Sequence, residues 1–372
     1  MKMKMKIKTQ KKMKKSAYRS GTLLLAAIFL LPFTMNAQEE LTKEFHKEYK
    51  ATRSTTLDLS NKYGDVVVQT SETDQVVIDV KVTVKYPNRE RAEKLLGYID
   101  VVFEEEPNLI SAKTVIDEKF SFTGWSGESR RFSIDYNVKM PVWMDLELTN
   151  RYGNTELDDL SGFVNLDIKY GNLTAANLTR GNEKPMSTVS LAYGKGSVEE
   201  AGWLNAIIRY CGNFTVTESQ ALLLDSRYSK VQLGSTSSVV GETKYDNLKI
   251  DKINNLVLDA GYTDINIGTL ARKLDFTVGY GSFNVERVPA GFESIEVESR
   301  YTGIRIGIDE LASYNLEGRV SYGGLKFNEE NYQNRKRIVE NNSTIIEGVV
   351  GKEKSPASNV KVEASYGSVK LY

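Results

Sequence analysis

Residues 222–233, 239–250 and 256–267 read LLLDSRYSKVQL, VVGETKYDNLKI and LVLDAGYTDINI. Each stretch carries a tyrosine at the same place, Tyr228, Tyr245 and Tyr262. Apolar residues stand three and five positions after it, and mostly apolar or small residues two and four before it. Alternation with a period of two is the pattern of a strand with one face buried. Its phase changes across the tyrosine, so the chain must bend there. Working outward, the series continues at Tyr63, Tyr152, Tyr170, Tyr193, Tyr210, Tyr280, Tyr301, Tyr322 and Tyr366, and takes up twelve of the twenty tyrosines. Between Tyr152 and Tyr322 the steps are 17 to 23 residues. Glycine follows seven of the twelve (Gly64, Gly153, Gly171, Gly194, Gly281, Gly323 and Gly367), and the residue after that is mostly Asn, Asp, Ser, Gly or Lys. These residues accept the backbone angles of a tight bend, and the glycines are expected there for that reason.

A short, near-fixed period marks an architecture in which each unit stacks on its neighbours. A meander of hairpins would not need the same residue at the same place in every unit. A parallel β-solenoid does, because like positions lie above one another at about 4.8 Å. The sequence therefore predicts an all-β, single-stranded parallel β-solenoid (β-helix), with residues 146–328 forming its repeats. The tyrosines Tyr152, Tyr170, Tyr193, Tyr210, Tyr228, Tyr245, Tyr262, Tyr280, Tyr301 and Tyr322 should then form a structural ladder. Sharing a face with apolar residues, they are expected in the core or at its corners; the alternative is an exposed aromatic strip that binds sugar rings.

Outward positions carry charge. The residue before the tyrosine is basic in seven units (Lys62, Arg151, Lys169, Arg209, Arg227, Lys244 and Arg300). Two positions earlier it is acidic in six (Asp167, Asp225, Glu242, Asp259, Glu298 and Glu363). Adjacent rows of opposite sign offset the repulsion within each row, so a charge-balanced solvated wall accounts for both without an anion-binding stripe.

The ends depart from the repeat. Residues 1–20 hold nine bases and no acid, TLLLAAIFLLPFTM follows, and Ala37 closes a small-residue cut site. This is the form of a secretory signal peptide, expected to be removed after Ala37; an uncleaved anchor is the alternative. Without residues 1–37 the chain has 40 bases against 49 acids, a net charge of −9. That is not the basic footprint of a nucleic-acid binder. No other segment is apolar enough to cross a membrane. Residues 38–145 read as a β-rich N-terminal cap with one short helix near 88–97 after Pro87 and a glycine-rich loop FTGWSGES at 122–129. Residues 329–372 read as a C-terminal cap, with a hairpin around Asn341-Asn342 and a final complete unit, NVKVEASYGSVKLY, pairing with the last coil.

Chemistry is sparse. Cys211 and His46 are single, which leaves no thiol–imidazole pair, zinc set or histidine triad to build from. Cys211 takes the place where glycine usually follows the tyrosine, and reads as a small tolerated residue. The acidic pairs Asp158-Asp159, Glu199-Glu200 and Asp309-Glu310 fall at unrelated phases. Asp158, Asp159, Glu199 and Glu200 are the acids that could converge across nearby coils, as a polysaccharide-cleaving enzyme would need. No cofactor motif occurs, and the chain reads as a non-enzyme.

The stretch 133–178, SIDYNVKMPVWMDLELTNRYGNTELDDLSGFVNLDIKYGNLTAANL, has an extended strand, a Val-Pro-like step and then repeated short glycine-led units. In this it resembles the bacterial β-strand-repeat family labelled "putative adhesin", in its Tyr-Gly form found in Bacteroidota. The resemblance implies a β-solenoid placed in the cell envelope, at the periplasm or cell surface, with an adhesin-like binding or scaffolding role and no catalytic residues to carry over. It implies an envelope protein or polysaccharide as partner. It also implies, as another role, an accessory of an envelope-stress signalling system. A carbohydrate-active enzyme on a β-helix is the competing expectation.

Overall fold

The computed structural model describes residues 40–120 and 130–372. The expected signal peptide and the glycine-rich loop at 122–129 lie outside them. The described residues are almost wholly β, with one helix and a large, mostly parallel sheet.

Alternation decides which residues face inward. Strands Lys195–Arg209, Asn213–Arg227, Lys230–Lys244 and Asn247–Val288 pair in parallel, each on the next. Leu204, Leu222, Val239 and Leu256 share one row of the register, and Val198, Val216, Leu233 and Ile250 share another. All eight are buried. Like apolar side chains thus pack over like ones, and the backbone groups of one unit are satisfied by the units above and below.

The ends of this stack are built differently. Thr56–Lys62 and Val66–Ser71, which flank Tyr63, pair in parallel with Asp145–Arg151 and Thr155–Leu157 on one side. On the other side they pair in parallel with Leu109–Ile116 and Arg131–Pro141. Antiparallel strands then close that end: Gln75–Lys85 on Arg131–Pro141, Glu40–Lys50 on Gln75–Lys85, and Ile99–Glu106 on Leu109–Ile116. Glu40–Lys50 is rich in Lys and Glu, the usual protection of a strand edge against further pairing. The helix Arg89–Leu96 forms where the sequence places it, capped by the Asn88 side chain accepting from the Arg91 amide at 2.8 Å.

At the other end the last unit does not follow its predecessor. Ser358–Ser365 lies between Ser294–Ile308 and Tyr314–Ser321, in parallel with both. The strand around Tyr322 is thereby pushed outward and is covered by the expected hairpin, with Ser343–Val350 antiparallel to Tyr314–Ser321 and Tyr332–Glu340 antiparallel to Ser343–Val350.

The glycines after the tyrosines have another reason than the one expected. Among those seven, only Gly281 has a positive φ, 133°. What the position requires is room. A Cβ on Gly171 would lie 1.8 Å from the carbonyl oxygen of Gly153, and one on Gly153 would lie 1.9 Å from that of Gly64. Stacked backbones approach too closely at this corner for a methyl group.

Gly171→Ala should therefore lower the unfolding free energy by about 1–3 kcal/mol, the cost of overpacking. Gly279→Ala, with nothing within 4 Å of its added Cβ, should stay within about 0.5 kcal/mol of the parent. Denaturant unfolding of the two variants checks the pair, and equal costs would remove close approach as the reason for glycine.

Candidate binding strip

Each tyrosine of the series has a positive φ, between 52° and 65°. For a residue with a Cβ this left-handed conformation costs about 1–2 kcal/mol, and backbone preference alone would choose Gly, Asn or Asp. Its amide keeps the inter-unit pairing intact: the Tyr152 amide donates to the Lys169 carbonyl (3.0 Å), Tyr210 to Arg227 (3.0 Å) and Tyr245 to Gly261 (3.0 Å). The conformation turns the ring out of the strand face that the flanking residues share.

The rings stack in one unbroken row. Centroids from Tyr63 through Tyr152, Tyr170, Tyr193, Tyr210, Tyr228, Tyr245, Tyr262, Tyr280 and Tyr301 are 4.8–5.1 Å apart, with interplanar angles of 1–10°. Tyr366 comes next, stacked on Tyr301 at 4.9 Å, and Tyr322 lies beyond it at 4.8 Å. At the Tyr63 end the row meets Phe132 at 5.3 Å and 56°, and Phe132 meets Phe120 edge-on. Stacking contributes roughly 0.5–1.5 kcal/mol per contact, the same size as the backbone cost of each rung.

Of the two places expected for these rings, core or corner, they take the corner, and the expectation of burial is corrected. From Tyr152 onward the tyrosines are 44–58 % exposed. The apolar residues two and four before them do face inward, but the left-handed turn breaks the alternation one residue earlier than the sequence suggests. The row also differs from a sugar platform. A sugar ring packs on an aromatic face, and here the faces cover one another along the row. Ring edges and hydroxyls are what meet the solvent.

Two columns hold the row in place. Outside the bend, the residues two after the first tyrosines of the row link units through side chains. Asp65 accepts from the Asn154 amide (2.7 Å), Asn154 from the Asn172 amide (3.1 Å), and Asn172 from the Lys195 amide (3.0 Å). Inside the bend, where glycine gives way to larger residues, a buried polar column runs beneath the rings. The Cys211 amide donates to Ser229 Oγ (3.0 Å), the Ser229 amide to Asp246 Oδ1 (2.6 Å), and the Asp246 amide to Thr263 Oγ1 (3.3 Å). Thr243 Oγ1 donates to Asp246 Oδ2 at 2.5 Å. Burial pushes the Asp246 carboxyl above its ordinary value despite these donors. Burial likewise raises the Cys211 thiol, whose Sγ donates to the Arg209 carbonyl at 3.3 Å.

The charged rows flank the strip as the sequence implies. Arg151 pairs with Asp167 on the next unit and Arg209 with Asp225 in the same manner, while Lys244 pairs with Glu242. Pairs this accessible are worth about 0–1 kcal/mol each. The acids singled out from sequence serve as local acceptors. Asp159 Oδ1 accepts from the Asn177 amide (3.2 Å) and its side-chain nitrogen (2.8 Å), and Asp158 Oδ2 accepts from the Thr70 amide (3.3 Å). Asn177 registers with Glu200, so one unit separates Asp159 from Glu200. Glu200 in turn registers with Glu218. Among the described residues no group of three His, Cys, Asp or Glu side chains could hold a metal ion. His46 is exposed, with Nδ1 2.6 Å from Asp79 and Nε2 3.1 Å from Glu48, and those hydrogen bonds raise its pKa. No described helix is long and apolar enough to cross a membrane.

No family model and no curated protein matches the chain. Several solved structures do. A "putative cell adhesion protein" from Clostridium sporogenes is 11% identical, with 89% of this chain and 99% of that one covered at a TM-score of 0.19. A "putative adhesin" from Parabacteroides merdae is 9% identical, covering 89% and 96% at a TM-score of 0.23. A "putative lipid binding protein" from Parabacteroides distasonis is 13% identical, covering 88% and 96% at a TM-score of 0.21. The names of the first two agree with the family that the sequence resembles. Overlap at these TM-scores places no residue of this chain.

Tyr245→Ala should cost about 1–3 kcal/mol, two stacking contacts with little burial, below the 3–5 kcal/mol of an aromatic core truncation. Tyr245→Gly should cost no more than Tyr245→Ala, because glycine adopts the left-handed conformation freely. Equilibrium unfolding orders the two, and a clearly worse glycine variant would count against the backbone argument. For Asp246 the raised folded-state pKa means that its stabilising contribution is present below the unfolded carboxyl value and is lost as pH rises through the folded one. Asp246→Asn should therefore gain stability relative to the parent across that rise, and thermal melts at stepped pH should show the gap open as pH increases.

Proposed function

We propose that this is a non-catalytic, exported protein of the cell envelope, wound as a parallel β-solenoid that presents its tyrosine row to a partner at the periplasmic or outer surface. The solenoid reading is supported by units 17–23 residues apart that pair in parallel, in register and through like positions. The role is adhesin-like binding or scaffolding. The observation that carries it is the row itself. Twelve tyrosines hold a backbone conformation that tyrosine disfavours, and the eleven from Tyr152 onward do so at a solvent-facing corner. Departures of this kind from local preference collect at functional sites. The partner is an envelope protein or polysaccharide met by ring edges and hydroxyls, since the faces are already stacked. In the charged rows beside the rings several members pair with one another, among them Arg151 with Asp167, Arg209 with Asp225 and Lys244 with Glu242, and opposite signs alternate, which sets no strong preference for an anion.

The test uses residues 38–372, the form expected after cleavage at Ala37. A variant with Tyr228, Tyr245 and Tyr262 all changed to Asn keeps a residue type suited to the left-handed bend. It should fold and lose retention on purified envelope polysaccharide or outer-membrane protein, whichever retains the parent. Changing Lys249 and Lys252 to Gln, away from the row, should leave retention unchanged. Acidic and neutral polysaccharides incubated with the protein should show no new reducing or unsaturated ends. Ends that disappear on replacing a single carboxylate, Glu200 first, would make it an enzyme instead.

A further inference from the structure

We propose that the tyrosine row is a site of oxidative cross-linking, in which peroxide-driven one-electron oxidation joins neighbouring rings as dityrosine and stitches one unit covalently to the next. The inference does not depend on what the row binds. Coupling of two phenols needs both within reach, each able to lose its proton, and both oxidised together. The row meets the first condition in every neighbouring pair, with centroids 4.8–5.1 Å apart. Exposure of about half of each residue from Tyr152 onward meets the second, because the proton leaves to water and the ring edges face the solvent. Continuity meets the third. A ring oxidised anywhere has a chemically equal partner stacked at the same distance, so the electron vacancy can pass along the row. Two vacancies on one row can then meet on adjacent rings. The one thiol is not a competing sink, since Cys211 is 2 % exposed and burial keeps it protonated.

The chemistry balances with a peroxide as oxidant, acting through a haem peroxidase or a similar one-electron carrier. Each of two phenols gives up one electron and its hydroxyl proton. Hydrogen peroxide takes both electrons and both protons and leaves as two waters. The two phenoxyl radicals form a carbon–carbon bond between Cε atoms ortho to the oxygens. The hydrogen on each of those carbons then moves to oxygen, restoring two phenols.

The order of stacking supplies a signature. Tyr301 stacks on Tyr366 and Tyr366 on Tyr322, so Tyr301 and Tyr322, consecutive in the series, are not neighbours in the row. The whole protein, kept dilute, is treated with horseradish peroxidase and limiting hydrogen peroxide. Dityrosine fluorescence should appear in the monomer, with a loss of two hydrogens per bridge. Peptide mapping should find Tyr228–Tyr245, Tyr301–Tyr366 and Tyr322–Tyr366, and the treated protein should melt at a higher temperature. Tyr245→Phe keeps the stack but has no phenol; it should fold as the parent does and lack only the bridges to Tyr228 and Tyr262. Bridges joining Tyr301 to Tyr322, bridges as frequent at the exposed off-row Tyr372, coupling only between molecules, or the same pattern in denaturant would each overturn the proposal.

Discussion

Parallel pairing between successive units is the constraint on which the rest of the molecule depends. It fixes the spacing of every like position near 4.8 Å, and that spacing is why the corners where glycine follows the tyrosine have no room for a Cβ. It also brings the rings into contact. A tyrosine held at this corner in a single unit would bear the left-handed backbone cost alone. Repeated at the same register, it recovers a comparable amount from the ring above and the ring below. The ladder is thus a property of the stack, and no isolated unit would hold it.

The interior of the corner shows how the same site accepts different chemistry. Where the preceding inward residue is Asn61 or Asn150, the side-chain nitrogen reaches the Gly64 carbonyl, at 3.1 and 3.3 Å. In the middle of the stack, Ser229, Asp246 and Thr263 take the place of glycine and bond from unit to unit instead. Both solutions satisfy backbone groups that the bend would otherwise leave buried and unpaired. The second places a carboxyl under the rings, where desolvation outweighs its donors.

Much of this was legible in the sequence. The tyrosine period, the phase change across it, the helix after Pro87 and the hairpin at Asn341-Asn342 all rest on local patterns, and local patterns survive in the structure. The outward turn of the rings did not show, because the residue types after each tyrosine drew the bend to themselves. Gly171 or Asn172 looks like the left-handed residue, yet Tyr170 holds that conformation. The close approach at Gly171 comes from another unit and leaves no trace in its own neighbourhood. The place of the final unit was hidden for a similar reason. Units with equal patterns are interchangeable on paper, and which one lies beside Ser294–Ile308 is settled by long-range pairing.

That placement changes how the fold can be completed. Through most of the stack each unit docks on one made 17 to 23 residues before it, so the chain can be laid down in order with small loop-closure costs. The strand Tyr314–Ser321 breaks this sequence. Its inner neighbour is Ser358–Ser365, which is synthesised after it and after the hairpin that covers it. The contacts at this end therefore have a higher sequence separation than those between the repeats, as do those of Thr56–Lys62 with Asp145–Arg151 at the other end, and high separation slows folding. Parallel pairing can run as a zipper from Asp145–Arg151 as far as Ser294–Ile308. There it must wait for a later part of the chain to fill the gap, so this end closes only after the repeats before it have paired.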